Sequence, residues 1–144
     1  MVEDLSLPRP HERLDVWRDA MLLVEEVYRA TSRFPAEERL GLTAQMRRSA
    51  VSVPSNIAEG AARRSTSEYL RFLSIARGSL SELATQIEIS RRLGFGEGPA
   101  IDPDLLDRTF ARLNALIRAN ERRLREPDEA LPESPIPNPE SHAR

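Results

Sequence analysis

Apolar residues recur every three or four positions along most of this 144-residue chain, the spacing that places side chains on one face of an α-helix. The first stretch ends before "FPAEE", whose proline disfavours helical geometry in the preceding residue, Phe34. Its apolar stripe is wide, which is typical of a helix inside a bundle rather than along a narrow two-helix seam. The core positions predicted for this helix are Leu14, Trp17, Met21, Val24, Tyr28 and Thr31, widened by Ala20, Val27 and Phe34.

Two later segments carry clear helix-start signals. In "STSE", the Ser65 hydroxyl is placed to accept a hydrogen bond from the backbone N–H of Glu68. In "DPD", Asp102 is placed as the cap and Pro103 at the first helical position. We expect the third helix to end at Gly94. The apolar positions are Tyr69, Leu73, Ala76, Leu80, Leu83 and Ile87 in the third helix, and Leu106, Phe110, Leu113, Ile117, Asn120 and Leu124 in the fourth.

The second segment contains "SVPSNIAEG", in which a proline interrupts a helical pattern. The apolar spacing nevertheless continues in phase through Pro54 as far as Ala61. A proline inside a helix removes one hydrogen bond and clashes with the carbonyl of Ala50, at a cost of about 3 kcal/mol unless the helix bends. We therefore predict a continuous, kinked helix over residues 41–63, whose small residues form a close packing seam. Gly60 alone does not provide the free backbone N–H groups of a phosphate-binding loop.

Short connections between these segments make consecutive helices antiparallel neighbours. The sequence therefore predicts an all-α fold, an antiparallel up-down-up-down four-helix bundle with a kinked second helix. We divide the chain into an N-terminal extension (1–12), the bundle (13–126) and a proline-rich, acidic, flexible tail (127–144).

Composition excludes several classes of site. The chain has no cysteine and only two histidines, His11 and His142, so thiolate chemistry, disulfides and histidine-based metal or nucleophile sites have no basis. No nucleotide-binding motif is present either, and we predict no enzyme activity, no catalytic residue, no cofactor and no metal. No apolar run approaches the ~20 residues that span a bilayer, and the first residues do not resemble a secretion signal. We expect a cytoplasmic protein without a membrane partner.

Charge is unevenly distributed although the formal net charge is only −2. Residues 44–92 carry eight arginines against four glutamates, whereas residues 126–144 carry five acids and one arginine. Clustered cations bind phosphates by releasing counterions, so a local cluster can bind nucleic acid despite a sequence pI near 5.8. The alternative is that these arginines pair with acids of the same or a neighbouring subunit. The candidate nucleic-acid-binding residues are Arg47, Arg48, Arg63, Arg64, Arg71 and Arg77.

A second polar group lies on the helices themselves. Asn56 and Glu59 are three residues apart on one face of the second helix, and Glu82 lies on the third. If buried, each of these groups needs hydrogen-bond partners. We expect Asn56, Glu59 and Glu82 to form a structural polar network rather than a metal site, because no helix carries the Glu-x-x-His pair of di-iron bundles.

Several motifs in the same order resemble a known family, the bacterial four-helix bundle proteins encoded in intervening sequences of 23S rRNA genes. The similar segments are "LDVWRDA", "VYRATSRFP", "GLTAQMRRSAVSVPSNIAEG" and "FLSIARGSLSEL", and the resemblance covers roughly residues 14–94. Relatives of that family include the Avd-type accessory proteins of diversity-generating retroelements. The resemblance implies an antiparallel four-helix bundle that assembles into a ring, a homopentamer. It also implies that Avd-type members bind nucleic acid through a basic surface beside a reverse transcriptase, a partner that nothing in this sequence indicates.

Two functional hypotheses remain open from the sequence. In the first, the protein is a non-enzymatic oligomeric bundle that binds RNA or DNA through the arginines of the second and third helices. In the second, it is a protein–protein interaction scaffold without nucleic-acid binding. Oligomerisation has separate support, because "ARGSL" places small residues on two faces of the third helix, and a lone bundle rarely needs both.

Overall fold

A computed structural model describes residues 8–126 of the chain. Its four helices are α1 (Asp15–Thr31), α2 (Leu42–Ala61), α3 (Thr66–Arg92) and α4 (Pro103–Arg125), with short 3₁₀ turns at Pro10–Arg13 and Ala36–Glu38. No strand occurs among these described residues, and the predicted all-α class is confirmed. The tail predicted at 127–144 and most of the N-terminal extension lie outside the described residues.

Contacts between helix ends show that neighbouring helices run in opposite directions. Arg47, near the start of α2, bonds Thr31 at the end of α1. Gly60, near the end of α2, lies against Tyr69 at the start of α3. The helix α4 packs on both α3 and α1, which closes the four helices into one bundle around a shared core.

The helix ends follow the local chemistry of the sequence. The Ser65 hydroxyl accepts from the Glu68 backbone N–H at 3.1 Å, and the Asp102 carboxylate accepts from the Asp104 N–H at 2.9 Å, so both predicted caps are confirmed. The helix α3 ends just before Gly94, the only described residue with positive φ (77°), a conformation that glycine adopts without steric cost.

The helix α2 continues without interruption through Pro54, as predicted. Val53, Pro54 and Ile57 are all buried, so the core face keeps its phase on both sides of the proline. The Ser55 hydroxyl donates to the Val51 carbonyl at 2.7 Å, one turn back. The kink at Pro54 stays a prediction.

The core phase predicted for α1 is wrong in part. Met21 and Tyr28 are 41% and 42% exposed, although both were expected in the core. Because α1 packs against α4 as well as α2, its buried face is rotated away from the predicted stripe. That face consists of Val16, Asp19, Ala20, Leu23, Val27 and Thr31, whereas Leu14, Trp17, Val24 and Phe34 are partly buried at its edge.

Candidate nucleic-acid interface

The close seam between α2 and α3 positions the candidate site. A Cβ atom added to Gly60 would lie 2.9 Å from both the Cβ of Phe72 and the Cδ2 of Tyr69, closer than real Cβ atoms approach. The missing side chain at Gly60 therefore lets α3 approach the backbone of α2. This contact fixes Phe72 beside the last turn of α2, where the first candidate arginines follow.

Two guanidinium groups lie against the ring of Phe72. The Cζ atoms of Arg63 and Arg71 are each 4.8 Å from the ring centroid, within the range of cation–π attraction. Arg64 is exposed beside them and has no ion pair within the described part of the chain. We call Arg63, Arg64, Arg71 and Phe72 the Phe72 cluster.

Two carboxylates reduce the charge of this cluster only in part. Arg63 forms an ion pair with Glu59, one turn earlier in α2. Arg71 lies 3.6 Å from Glu68, one turn earlier in α3. Both pairs are exposed to solvent, where such pairs contribute about 0–1 kcal/mol. An incoming phosphate can therefore replace either glutamate at little cost.

The other three candidate arginines lie elsewhere. The Arg47 Nε donates to the Thr31 hydroxyl at 2.9 Å, and its guanidinium stacks 4.5 Å above the ring of Tyr28. Arg47 precedes Arg63 by sixteen residues, which corresponds to about 24 Å along the helix axis. Exposed Arg48 lies at the same end as Arg47, while Arg77 donates to Asn114 on α4 at 3.4 Å. The structure thus brings two of the six candidates, Arg63 and Arg71, onto one ring, and a third, Arg64, is the neighbour of Arg63 in the chain.

The polar network between α2 and α3 differs from the expected one. The Asn56 side-chain amide donates to the carbonyl and hydroxyl oxygens of Ser52 at 2.8 and 2.9 Å. The Ser52 hydroxyl in turn bonds the Ser79 hydroxyl of α3 at 2.7 Å. Glu59 and Glu82 lie outside this network, because both are exposed and Glu59 pairs with Arg63 instead. The network joins Asn56 to two serines that sequence reasoning did not select.

A buried ion pair between α1 and α4 was missed by the sequence analysis. Asp19 is 4% exposed and accepts from Arg108 at 3.1 and 3.2 Å and from Arg112 at 2.6 Å. The hydrogen bond that Arg108 donates to Asp19, together with the negative charge of that carboxylate, raises the pKa of Arg108. The signal was present in the sequence, since Asp19 lies three residues after Val16 and four before Leu23, on the buried face.

The arginines at the end of α3 are occupied by a neighbouring carboxylate. Arg91 and Arg92 both bond Glu88, at distances from 2.6 to 3.0 Å. These hydrogen bonds, with that of Arg91 the strongest influence, lower the pKa of Glu88 to about 2. At this end of α3 both arginines are thus held by one carboxylate, whereas Arg64 of the Phe72 cluster has no ion pair among the described residues.

Within residues 8–126, no three acidic, histidine or cysteine side chains are grouped in a way that could hold a metal ion. None of the described helices combines the length and the apolar character needed to cross a membrane.

The sequence profile of the family described as "23S rRNA-intervening sequence protein" matches residues 12–109. The chain belongs to this family. The match covers α1, α2 and α3 with the whole Phe72 cluster, and it ends within α4, so residues 110–126 lie beyond it. The family resemblance inferred from the sequence motifs is thereby confirmed, whereas the relationship to Avd-type proteins stays a prediction. No curated protein matches the chain.

Proposed function

We propose that this family member is a non-enzymatic, homo-oligomeric four-helix bundle of the cytoplasm that binds RNA or DNA through the Phe72 cluster. The observation that carries the proposal is the convergence of Arg63 and Arg71 on the ring of Phe72 at the end of the α2–α3 seam, with exposed Arg64 next to Arg63 in the chain. Arg47, Arg48 and Arg77 extend the basic surface but do not belong to its centre.

The chemistry of the cluster suits phosphate groups rather than base edges. Guanidinium groups bind phosphate oxygens in a bidentate manner and release condensed counterions from the nucleic acid. The ring of Phe72 is partly buried and already in contact with two arginines, so it is not available for stacking on a base. We therefore expect sequence-tolerant binding that weakens as salt is added.

Exposed apolar and small residues support the homo-oligomeric part of the proposal. Three large apolar side chains near the groove between α1 and α2 are each more than 40% exposed, namely Met21, Tyr28 and Val51. The contact between Arg47 and Tyr28 joins the two helices at this groove. A Cβ added to Gly78 in the middle of α3 would meet no atom within 4 Å, so this single chain does not explain the glycine. We expect a multimer, a pentamer by family resemblance, in light scattering. A monomer at micromolar concentration would contradict this part.

The binding test compares two triple variants of equal charge. Arg63→Gln, Arg64→Gln and Arg71→Gln together remove the cluster, while a control removes Arg29, Arg33 and Arg39 from the other end of the bundle. The measurement is fluorescence anisotropy with a labelled structured RNA and a labelled DNA duplex at about 50 and 200 mM salt. We expect the cluster variant to lose at least about tenfold in affinity and the control to lose much less.

Three results would oppose the proposal. Absent or salt-insensitive binding by the wild-type protein would remove the nucleic-acid function. Equal losses in the two triple variants would show that overall charge, not the Phe72 cluster, governs binding. A stable oligomer that binds neither RNA nor DNA would favour the second function, a protein-interaction scaffold, for which the exposed side chains of Met21, Tyr28 and Val51 are the supporting observation.

A further inference from the structure

The last turns of α4 carry a group of arginines that belongs to none of the sites described above. Arg118, Arg122 and Arg125 are spaced by four and three residues, so they share one face of the helix. All three are exposed, and none has an ion pair within residues 8–126. They also lie beyond the segment that matches the family profile.

The register of α3 against α4 places this face beside the Phe72 cluster. The hydrogen bond from Arg77 to Asn114 places these two residues at a similar level along the antiparallel helices α3 and α4. Arg71 lies six residues from that level along α3, about 9 Å towards the start of α3. Arg118 and Arg122 lie four and eight residues from it along α4, about 6 and 12 Å in the same direction. Arg71 therefore lies at a height between those of Arg118 and Arg122, on the neighbouring helix.

Small residues separate the arginines on the surface of α3. Ser74 and Gly78 follow Arg71 at successive turns, both are exposed, and a Cβ added at Gly78 would meet nothing within 4 Å. Side chains this short leave the helix backbone open to close approach. We call Arg71, Arg77, Arg118, Arg122 and Arg125, with these small residues between them, the α3–α4 basic face.

Charge is segregated along the long axis of the bundle. The half that contains the ends of α2 and α4, residues 8–22, 53–78 and 115–126, has eleven arginines and seven carboxylates. The opposite half, residues 23–52 and 79–114, has nine arginines and ten carboxylates. Four of these nine arginines form ion pairs, two with Glu88 of the same half and two with Asp19 of the other half. The positive potential is thus concentrated at one end.

Compensation of the helix dipole accounts for Arg122 and Arg125, which lie in the last turn of α4, but not for Arg118. Cations favour the last turn of a helix, but the effect falls off within that turn. Arg118 lies seven residues before the end of α4, about two turns away from it. The end of α3 provides a contrast, since its last-turn arginines are bonded to Glu88.

We propose that the α3–α4 basic face extends the Phe72 cluster into one continuous surface that binds the phosphodiester backbone of a nucleic-acid duplex at this end of the bundle. The inference rests on the proposed function and adds Arg118, Arg122 and Arg125 as binding residues. If recognition occurs through the backbone, changing these residues should reduce the affinity for RNA and DNA duplexes of equal length in the same way.

The experiment uses the full chain and two matched variants of α4. In one, Arg118, Arg122 and Arg125 are changed together to Gln, and in the other the same three residues are changed to Lys. We expect the Gln variant to lose at least about tenfold in duplex affinity at about 50 mM salt. The slope of log K against log salt is negative, and its magnitude should decrease by up to about 2.7, the value for three lost phosphate contacts. The Lys variant retains the charges and should restore most of both quantities.

Each alternative outcome identifies what fails. Wild-type affinity in the Gln variant, together with a loss in the Phe72-cluster variant, overturns the inference and leaves the proposed function intact. Weak binding that Lys does not restore, with unchanged circular dichroism, also overturns it, because the role would then not be one of charge. A wild-type protein that binds neither duplex overturns both proposals. A loss on the RNA duplex alone would contradict recognition through a backbone that the two duplexes share.

Discussion

Replacing two glycines by alanine tests the seam on which the Phe72 cluster depends. Gly60 and Gly78 both lie inside helices with ordinary negative φ, so alanine fits the backbone at either position. At Gly78 the new methyl group meets nothing within 4 Å. At Gly60 it would lie 2.9 Å from the Phe72 Cβ, an atom held close to the backbone of α3, and 3.2 Å from the Tyr69 carbonyl oxygen.

The two changes should have opposite signs. Gly→Ala inside a helix stabilises by about 0.5–1 kcal/mol, because alanine restricts the unfolded chain and favours the helix. Gly78→Ala should gain this amount. At Gly60 the same gain is offset by overpacking, which costs about 1–3 kcal/mol when a core has to open. The backbone contribution is common to both variants, so it cancels when their free energies of unfolding are compared. The remaining difference, about 1–3 kcal/mol, is the overpacking cost at Gly60 and reports how closely α2 and α3 pack there.

Urea unfolding followed by far-ultraviolet circular dichroism gives both free energies. For a bundle of this size, 1 kcal/mol corresponds to about 3 °C in the melting temperature. Light scattering on each variant separates a change in packing from a change in assembly, which matters for Gly78 because it faces outward. A Gly60→Ala protein as stable as Gly78→Ala would refute the argument that α2 and α3 are in close contact at this position.

Three further predictions concern ionisable groups. Asp19→Ala should destabilise the protein by about 2 kcal/mol in urea unfolding. This loss is smaller than for a fully buried pair, because the side chains of Arg108 and Arg112 are 46% and 44% exposed and regain water. No loss of stability would show that this ion pair contributes nothing. Glu88 has a pKa of about 2, below its ordinary 4.5, so the stability it contributes is complete above pH 4.5 and lost as the pH falls towards 2. The stability difference between wild type and Glu88→Gln should therefore shrink over that range, and a constant difference would contradict it. Burial raises the pKa of Tyr69 from 10.0, so the stability that this group contributes is present below pH 10 and lost as the pH rises through the raised pKa. In a Tyr28→Phe protein, the tyrosinate absorbance should accordingly appear above pH 10, and a midpoint below it would be inconsistent with burial.

The existence of the helices and their starting points could be predicted from the sequence because those features depend on local chemistry. The Ser65 and Asp102 caps each involve groups within three residues, and the phase of α2 across Pro54 is a property of one segment. The rotation of α1 is different. Its apolar positions cover a wide arc, and the part that is buried depends on where α4 lies, which no local pattern specifies.

The candidate site was predictable only in part, for the same reason. Arg63, Arg64 and Arg71 come together because a short connection joins α2 to α3, so their nearness follows from the chain itself. The contribution of Arg118 depends on the register of α4 against α3, a contact between residues far apart in sequence. Glu59 was assigned to a buried network because its spacing from Asn56 was visible, whereas its exposure was not.

The three hydrogen bonds at Asp19 also determine how far α4 can slide along α1. Moving α4 by one turn in one direction would bring Asp104 and Arg108 opposite Asp19, and in the other direction Arg112 and Leu116. Either shift leaves a buried carboxylate with one cation where it now has two. The axial position of α4 is thereby selected at its contact with α1, not at its contact with α3. The height of Arg118 relative to α3 is thus a consequence of one carboxylate, that of Asp19 near the start of α1.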